Sequence, residues 1–301
     1  MIKLQRLYIL IPLILFSCTD DEPVNLKAAT KVYFSTWFGT IGVVDLSIPN
    51  EFTSIANNAN DGTASTVDVA LDEAAGYIYV AEERDETSKI LRKKIDGSGT
   101  IETLYNNTDG LTSTTAITLD ITEHMIYWVN SGDGTIYRGS QDGLSIPTAL
   151  FSGASVVQAA YGIRLDKKHG KVYVADIAKG ILVGNMDGSG TLTTLYEDGT
   201  TGVDGASNLT LDIAARKIYW ANQFGWSIAV GNMDGSSTPE ILFNESDGVA
   251  QPSGIAFDKA SRQIFWSEQY GSVIAKGKAN GTGGREVILE DVQPLGIDLG
   301  F

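Results

Sequence analysis

Six side chains recur at one position of a repeating four-residue pattern: Thr36, Glu82, Asn130, Asp176, Asn222 and Glu268. Carboxylates and amides arranged in a ring are hard oxygen ligands of the kind calcium takes, and a carboxylate there could also act as a general acid or base. Their recurrence favours another role, tying the parts of each repeat together, because packing is needed once per repeat. A second set follows in the connecting segments. Five residues after each motif aromatic stand Phe38, Arg84, Gly132, Ala178, Phe224 and Tyr270, and Trp37 and Trp226 lie in the same segments. Aromatics exposed on a rigid face suit sugar rings or a protein hot spot. Nucleophilic and metal chemistry is otherwise sparse. One cysteine, Cys18, excludes an internal disulfide and a cysteine-rich zinc site, and only two histidines exist, His124 and His169.

The elements that must position these residues are repeated. A leucine-aspartate pair or its variant ends at Asp72, Asp120, Asp166, Asp212 and Asp258, at intervals of 48, 46, 46 and 46 residues. Seven residues on, an aromatic opens an apolar run: Tyr79, Tyr127, Tyr173, Tyr219 and Phe265, with Tyr33 as a sixth copy. Asp298, in Gly296-Ile297-Asp298-Leu299, is read as the sixth aspartate. The fifth repeat predicts strands over 209–213, 217–221, 227–232 and 240–243. Asp-Gly or Asn-Gly pairs between third and fourth strands, at 96–97, 142–143, 187–188, 234–235 and 280–281, permit the positive φ of tight turns. No sustained 3.6-residue apolar period is present, so the chain is all-β. Four-strand units at this period predict a six-bladed β-propeller with four antiparallel strands per blade. The repeat begins at a second strand and ends after a first strand. The N- and C-terminal segments are therefore expected to pair in one blade and close the ring, removing open edges.

The second-strand pattern reads Tyr33-Phe34-Ser35-Thr36, Tyr79-Val80-Ala81-Glu82, Tyr127-Trp128-Val129-Asn130, Tyr173-Val174-Ala175-Asp176, Tyr219-Trp220-Ala221-Asn222 and Phe265-Trp266-Ser267-Glu268. It resembles the YWTD (class B) repeat of the low-density lipoprotein receptor family, over residues 31–301, although no copy reads YWTD in full. The resemblance implies a six-bladed propeller whose recurring aspartates and aromatics are structural. It also implies that aromatic-glycine pairs in the loops, Phe38-Gly39, Phe224-Gly225 and Tyr270-Gly271, can pack over blade ends. Their role as ligand contacts stays open against that alternative. Glu82, Glu83, Arg84, Asp133, Asp176 and Lys179 are expected to line the opposite, polar half of the same face. Asp-Gly steps in the four-one loops 106–114, 196–207 and 244–253 lack the alternating Asp/Asn run of a calcium loop and read as turns.

Residues 1–17 carry Lys3 and Arg6 ahead of an apolar run from Leu7 to Phe16, too short to span a bilayer and suited to a signal peptide. Leu15-Phe16-Ser17-Cys18 resembles a bacterial lipobox, with Phe16 bulkier than usual, which implies acylation of Cys18. Thr19-Asp20-Asp21-Glu22 resembles the acidic export tag of Bacteroidota surface lipoproteins. The expected organisation is a lipoprotein signal peptide at 1–17, the lipidated cysteine and acidic tether at 18–30, and the propeller at 31–301. The expected location is the outer membrane, held by lipid and exposed at the surface. A charge of −15, or −17 without Lys3 and Arg6, excludes nucleic acid as a natural partner.

Two functions follow from these features. The first is a non-catalytic, monomeric binding module that needs no cofactor. It meets an extracellular glycan or protein on the loop face through Trp37, Phe38, Arg84, Phe224, Trp226 and Tyr270. The second is a calcium-dependent hydrolase or lactonase, resembling gluconolactonase-like propellers, with Glu82, Asn130, Asp176, Asn222 and Glu268 at the central tunnel.

Overall fold

The computed structural model describes residues 26–84, 87–153 and 156–301. Cys18, the signal segment 1–17, the first part of the tether and the side chain of Arg84 lie outside the described residues. Alternating apolar and polar residues bounded by turn signals form strands wherever the repeat requires them, and the described residues make six four-stranded sheets. We number the sheets as blades by their innermost strands: Ser65–Asp72 (I), Thr114–Asp120 (II), Ala160–Asp166 (III), Ala206–Asp212 (IV), Pro252–Asp258 (V) and Pro294–Gly300 (VI). Within blades I to V the strands pair in chain order and antiparallel; in blade IV they are Ala206–Asp212, Lys217–Asn222, Ser227–Asn232 and Glu240–Phe243. Each inner strand packs beside that of the next blade, and blade VI returns to blade I.

Closure comes from both ends of the repeat, as expected. Pro294–Gly300 pairs antiparallel with Lys31–Thr36, with Tyr33 opposite Asp298 and Lys31 opposite Gly300. This register corrects one assignment. In blade V, Phe265 faces Ala256 and Gln263 faces Asp258. Gly300 therefore occupies the position of the recurring aspartate, and Asp298 sits two residues earlier, on the tunnel wall. The isoleucine before it gave the false match.

The true recurring aspartates close the one-two turns. Asp72 accepts from Ala75 N at 2.9 Å and Asp212 from Ala215 N at 3.0 Å. Three of them also take a cation from the next blade, Lys167 on Asp120, Arg216 on Asp166 and Arg262 on Asp212. Their role is structural: each binds amides of its own turn, and the links between blades come from those side-chain cations and, at Asp258, from the backbone amide of Ala29.

Both faces of every second strand meet a neighbouring blade. Tyr173 and Ala175 of blade III pack with Trp220 of blade IV, and Tyr219 and Ala221 of blade IV with Trp266 of blade V. The outer-strand ring of one blade then covers the motif tryptophan of the next, Tyr196 stacking on Trp220 at 5.4 Å and Phe243 on Trp266 at 5.1 Å. Space for these rings comes from glycine in the third strand: a Cβ on Gly231 would lie 2.6 Å from Tyr196 Oη.

Candidate functional site on the loop face

The two-three and four-one loops share one end of the ring, and the one-two and three-four turns share the other. The chain enters at the turn end, where Ala29 N donates to Asp258 Oδ2 at 3.1 Å and Thr30 N to Gly300 O at 2.9 Å. The loop end is thus opposite the side at which residues 26–30 join the ring.

The fourth motif position does not form a central ring of ligands. Each side chain is buried inside its own blade, and all but Thr36, which binds its own two-three loop, hold the incoming four-one loop. Glu82 Oε2 accepts from Ala64 N at 2.7 Å, and Asp176 accepts from Gln158 N at 2.7 Å and Ala178 N at 2.9 Å. Asn130 Nδ2 donates to Gly110 O at 2.8 Å, Asn222 Nδ2 donates to Gly202 O at 3.0 Å, and Thr40 N donates to Thr36 Oγ1 at 2.9 Å. Glu268 accepts from Ala250 N, Trp266 Nε1 and Arg285 Nε. Among the described residues no three acidic or histidine side chains gather as a metal site. The four-one loops are turns: Asn106 and Asp109, and Asn244 and Asp247, form reciprocal caps on short 3-10 turns ended by Gly110 and Gly248.

The aromatic set is brought together on adjacent blades IV, V and VI. Phe38, Phe224 and Tyr270 are 67%, 61% and 73% exposed and Trp37 is 52% exposed, so packing over blade ends accounts for little of their surface. Trp226, half-buried, stacks against Tyr270 of the next blade with ring centroids 5.8 Å apart. The glycines beside them are explained by the fold. A Cβ on Gly39 would lie 2.4 Å from Ala64 O and one on Gly225 2.9 Å from Asp204 Cβ. The glycine is thus required by the neighbouring four-one loop, while the aromatic before it is left to solvent. Phe224 lies partly over Gly205. Across the face, Arg84 ends its strand, Asp133 caps Thr135 N at 3.0 Å and Lys179 Nζ donates to Val156 O at 3.2 Å.

The tunnel mouth is built from the residue one place earlier, four after the motif aromatic. Trp37, Ile177, Gln223 and Gln269 line a cavity of about 130 Å³ together with Tyr161 and Ser253, which stand at one shared position of inner strands III and V. Trp37 and Tyr161 also wall a broader depression of about 640 Å³, with Phe38, Asn58, Ser65 and Glu83. Blades III and VI face each other across the ring, so these two aromatics line the mouth from opposite sides.

No family model matches the chain. Its fold is similar to solved propellers. A chain of a nidogen/laminin complex superposes with a TM-score of 0.74 at 17% identity, covering 90% of this chain and 98% of that one. TolB from Acinetobacter baumannii gives a TM-score of 0.66 at 12% identity over 90% of this chain and 66% of its own. An auxiliary nutrient binding protein from Bacteroides thetaiotaomicron gives 0.60 at 12% identity over 89% and 71%. At these identities the likeness is one of fold.

Deeper in the tunnel lie three charged side chains that sequence reasoning missed as a group. Asp68 is fully buried; its Oδ2 accepts from Ile117 N at 3.1 Å and lies 3.9 Å from Arg164 Nη1, while its Oδ1 has no partner. Burial pushes Asp68 up to about 7, opposed by Arg164. Asp298 accepts from Leu71 N at 2.9 Å, and burial raises it as well, again opposed by Arg164. The signal available was departure from the repeat. Asp298 and Arg164 occupy the register position held by Ala256 and Thr210 in other blades.

Proposed function

We propose that this protein is a cell-surface lipoprotein with a YWTD-like propeller, a non-catalytic binding module that takes an extracellular ligand on its loop face. Acylated Cys18 and the acidic tether 18–30 hold it to the outer membrane, and it works as a monomer without a cofactor. The observation that carries this reading is the row of exposed aromatics on blades IV to VI beside a concave tunnel mouth, at the end opposite the chain's entry. Such a surface faces outward when the chain is held by its N-terminus. Solitary exposed apolar residues are ordinary, but a contiguous set around a depression marks an interaction site. The similarity to a chain of a nidogen/laminin complex and to an auxiliary nutrient binding protein supports a binding role. The net charge of −15 accords with a partner other than nucleic acid.

The test is a comparison of the full chain with a variant carrying Phe38→Ala, Phe224→Ala and Tyr270→Ala, on glycan arrays and against fractionated extracellular proteins. Loss of a ligand in the variant with unchanged melting supports the loop face. Unfolding of the variant, or a ligand retained in full, counts against it.

A further inference from the structure

We propose that the tunnel mouth takes a neutral sugar, with a pyranose ring held between Trp37 and Tyr161 and the glycan chain continuing over the exposed aromatics of blades IV to VI. This rests on the loop-face reading above and names the ligand class. A pyranose offers apolar C–H faces and a rim of hydroxyls, each both donor and acceptor. Its site needs aromatic plates together with uncharged groups that donate and accept. Trp37 and Tyr161 supply plates from opposite blades. Gln223 and Gln269 supply the rim. Their backbone amides bond to Gly205 O and Gln251 O, and among the described residues their side-chain amides have no protein partner. At the wall of the wider depression Ser65 Oγ is buried with no hydrogen-bond partner. A buried hydroxyl without a partner carries a desolvation cost that a ligand hydroxyl would remove.

Charge selects among sugars. The one charged side chain among the described residues lining either cavity is Glu83, and its carboxylate already accepts from Ser113 Oγ. Among the described residues no cation lines either cavity to pair with a uronate, sialate or phosphate, and the overall charge of −15 repels them further. Size agrees. The depression of about 640 Å³ falls within the usual range for ligand pockets, and it narrows into the mouth of about 130 Å³. A protein hot spot would instead ask for an apolar, desolvated floor. Here Gln223, Gln269, Asn208, Ser207 and Ser253 stand among the apolar groups that line the mouth, a mixture that suits a sugar's hydroxyls and C–H faces.

The experiment uses the full chain on an array of neutral plant, fungal and animal oligosaccharides alongside uronic and sialylated ones, followed by calorimetric titration of the best neutral glycan. Binding of a neutral glycan is expected, with affinity reduced about tenfold or more by Trp37→Ala and by Gln223→Ala while melting stays unchanged. The sugar should quench tryptophan fluorescence in the wild type, and Trp37→Phe should reduce that quench while keeping the fold. Binding of acidic glycans alone, or of a neutral glycan indifferent to these changes, overturns the proposal. A protein ligand lost in Trp37→Ala, with no neutral glycan bound, overturns the sugar but keeps the loop-face reading. No ligand of any class overturns both.

Discussion

The guanidinium of Arg164, on the inner strand of blade III, lies 3.9 Å from the carboxylate of Asp68, on the inner strand of blade I, across the tunnel. Asp298 of blade VI shares the same cation's field. One positive side chain thus serves two buried acids, and both acids are raised by burial despite it.

The pH dependence follows from Asp68. In the unfolded chain its pKa is the ordinary 3.8, and in the folded protein it is about 7. The folded state therefore binds the proton more tightly. This contribution to stability is complete below about pH 4 and is lost as pH rises through about 7. Asp68→Asn, which keeps the shape and removes the charge, should stabilise the protein at pH 8 by on the order of 2 kcal/mol and make little difference at pH 4. Urea denaturation across this range checks it. Destabilisation at pH 8 that fades at pH 4 would show instead that the charged pair is the favourable state.

Arg164→Met should do the reverse. With the cation removed, two buried carboxylates face each other, and the loss should be about 3–5 kcal/mol at pH 8 and smaller at pH 5. Melting curves at the two pH values would read the difference, and a loss independent of pH would contradict it.

Gly231→Val tests the interblade packing. The added side chain enters the space of Tyr196, which stacks on Trp220, so a loss of about 1–3 kcal/mol is expected in thermal or urea unfolding. A neutral result would mean that Tyr196 can leave its place without cost.

Asp176 separates a structural from a calcium-binding role. It accepts from the amides of Gln158 and Ala178, so Asp176→Asn should cost about 1–3 kcal/mol with or without calcium. Millimolar calcium should leave the melting of the wild type unchanged. A calcium-dependent rise in melting, lost in the variant, would revive the hydrolase alternative.

Cys18→Ser should leave the propeller folded but move the protein from the membrane fraction to the soluble one. Palmitate labelling of the wild type and not of the variant is the companion measurement. Membrane retention of an unlabelled variant would remove the lipid anchor from the proposal.

Much of this molecule is legible in one dimension. A motif repeated in the mid-forties fixes strand count, turn positions and blade number, because each blade must bury the same faces against its neighbours. Tyr79, Tyr173 and Trp220 could be assigned to the interior for that reason. The end of the ring was harder. Ile297-Asp298 imitates the recurring apolar-aspartate pair, and only the pairing of Lys31 with Gly300 reveals the two-residue offset.

The site divides along the same line. Aromatic residues at 38, 224 and 270 are visible because the loop position varies where the strands do not, and blade order makes them neighbours. Sequence spacing named Trp37 but otherwise stopped one residue short of the mouth, at Phe224 and Tyr270. The mouth is lined by Trp37, Gln223 and Gln269, since the strand's last turn before the loop decides which side chain faces the axis. Arg164 departs from the repeat at its position, but that departure, like Tyr161 and Asp68, carries no meaning until groups on other blades converge as the ring closes. The sequence by itself determined the architecture, because local alternation and turn chemistry are written residue by residue. The tertiary structure decided which side chains share the tunnel, because burial, charge coupling and cavity shape arise between blades distant in the chain.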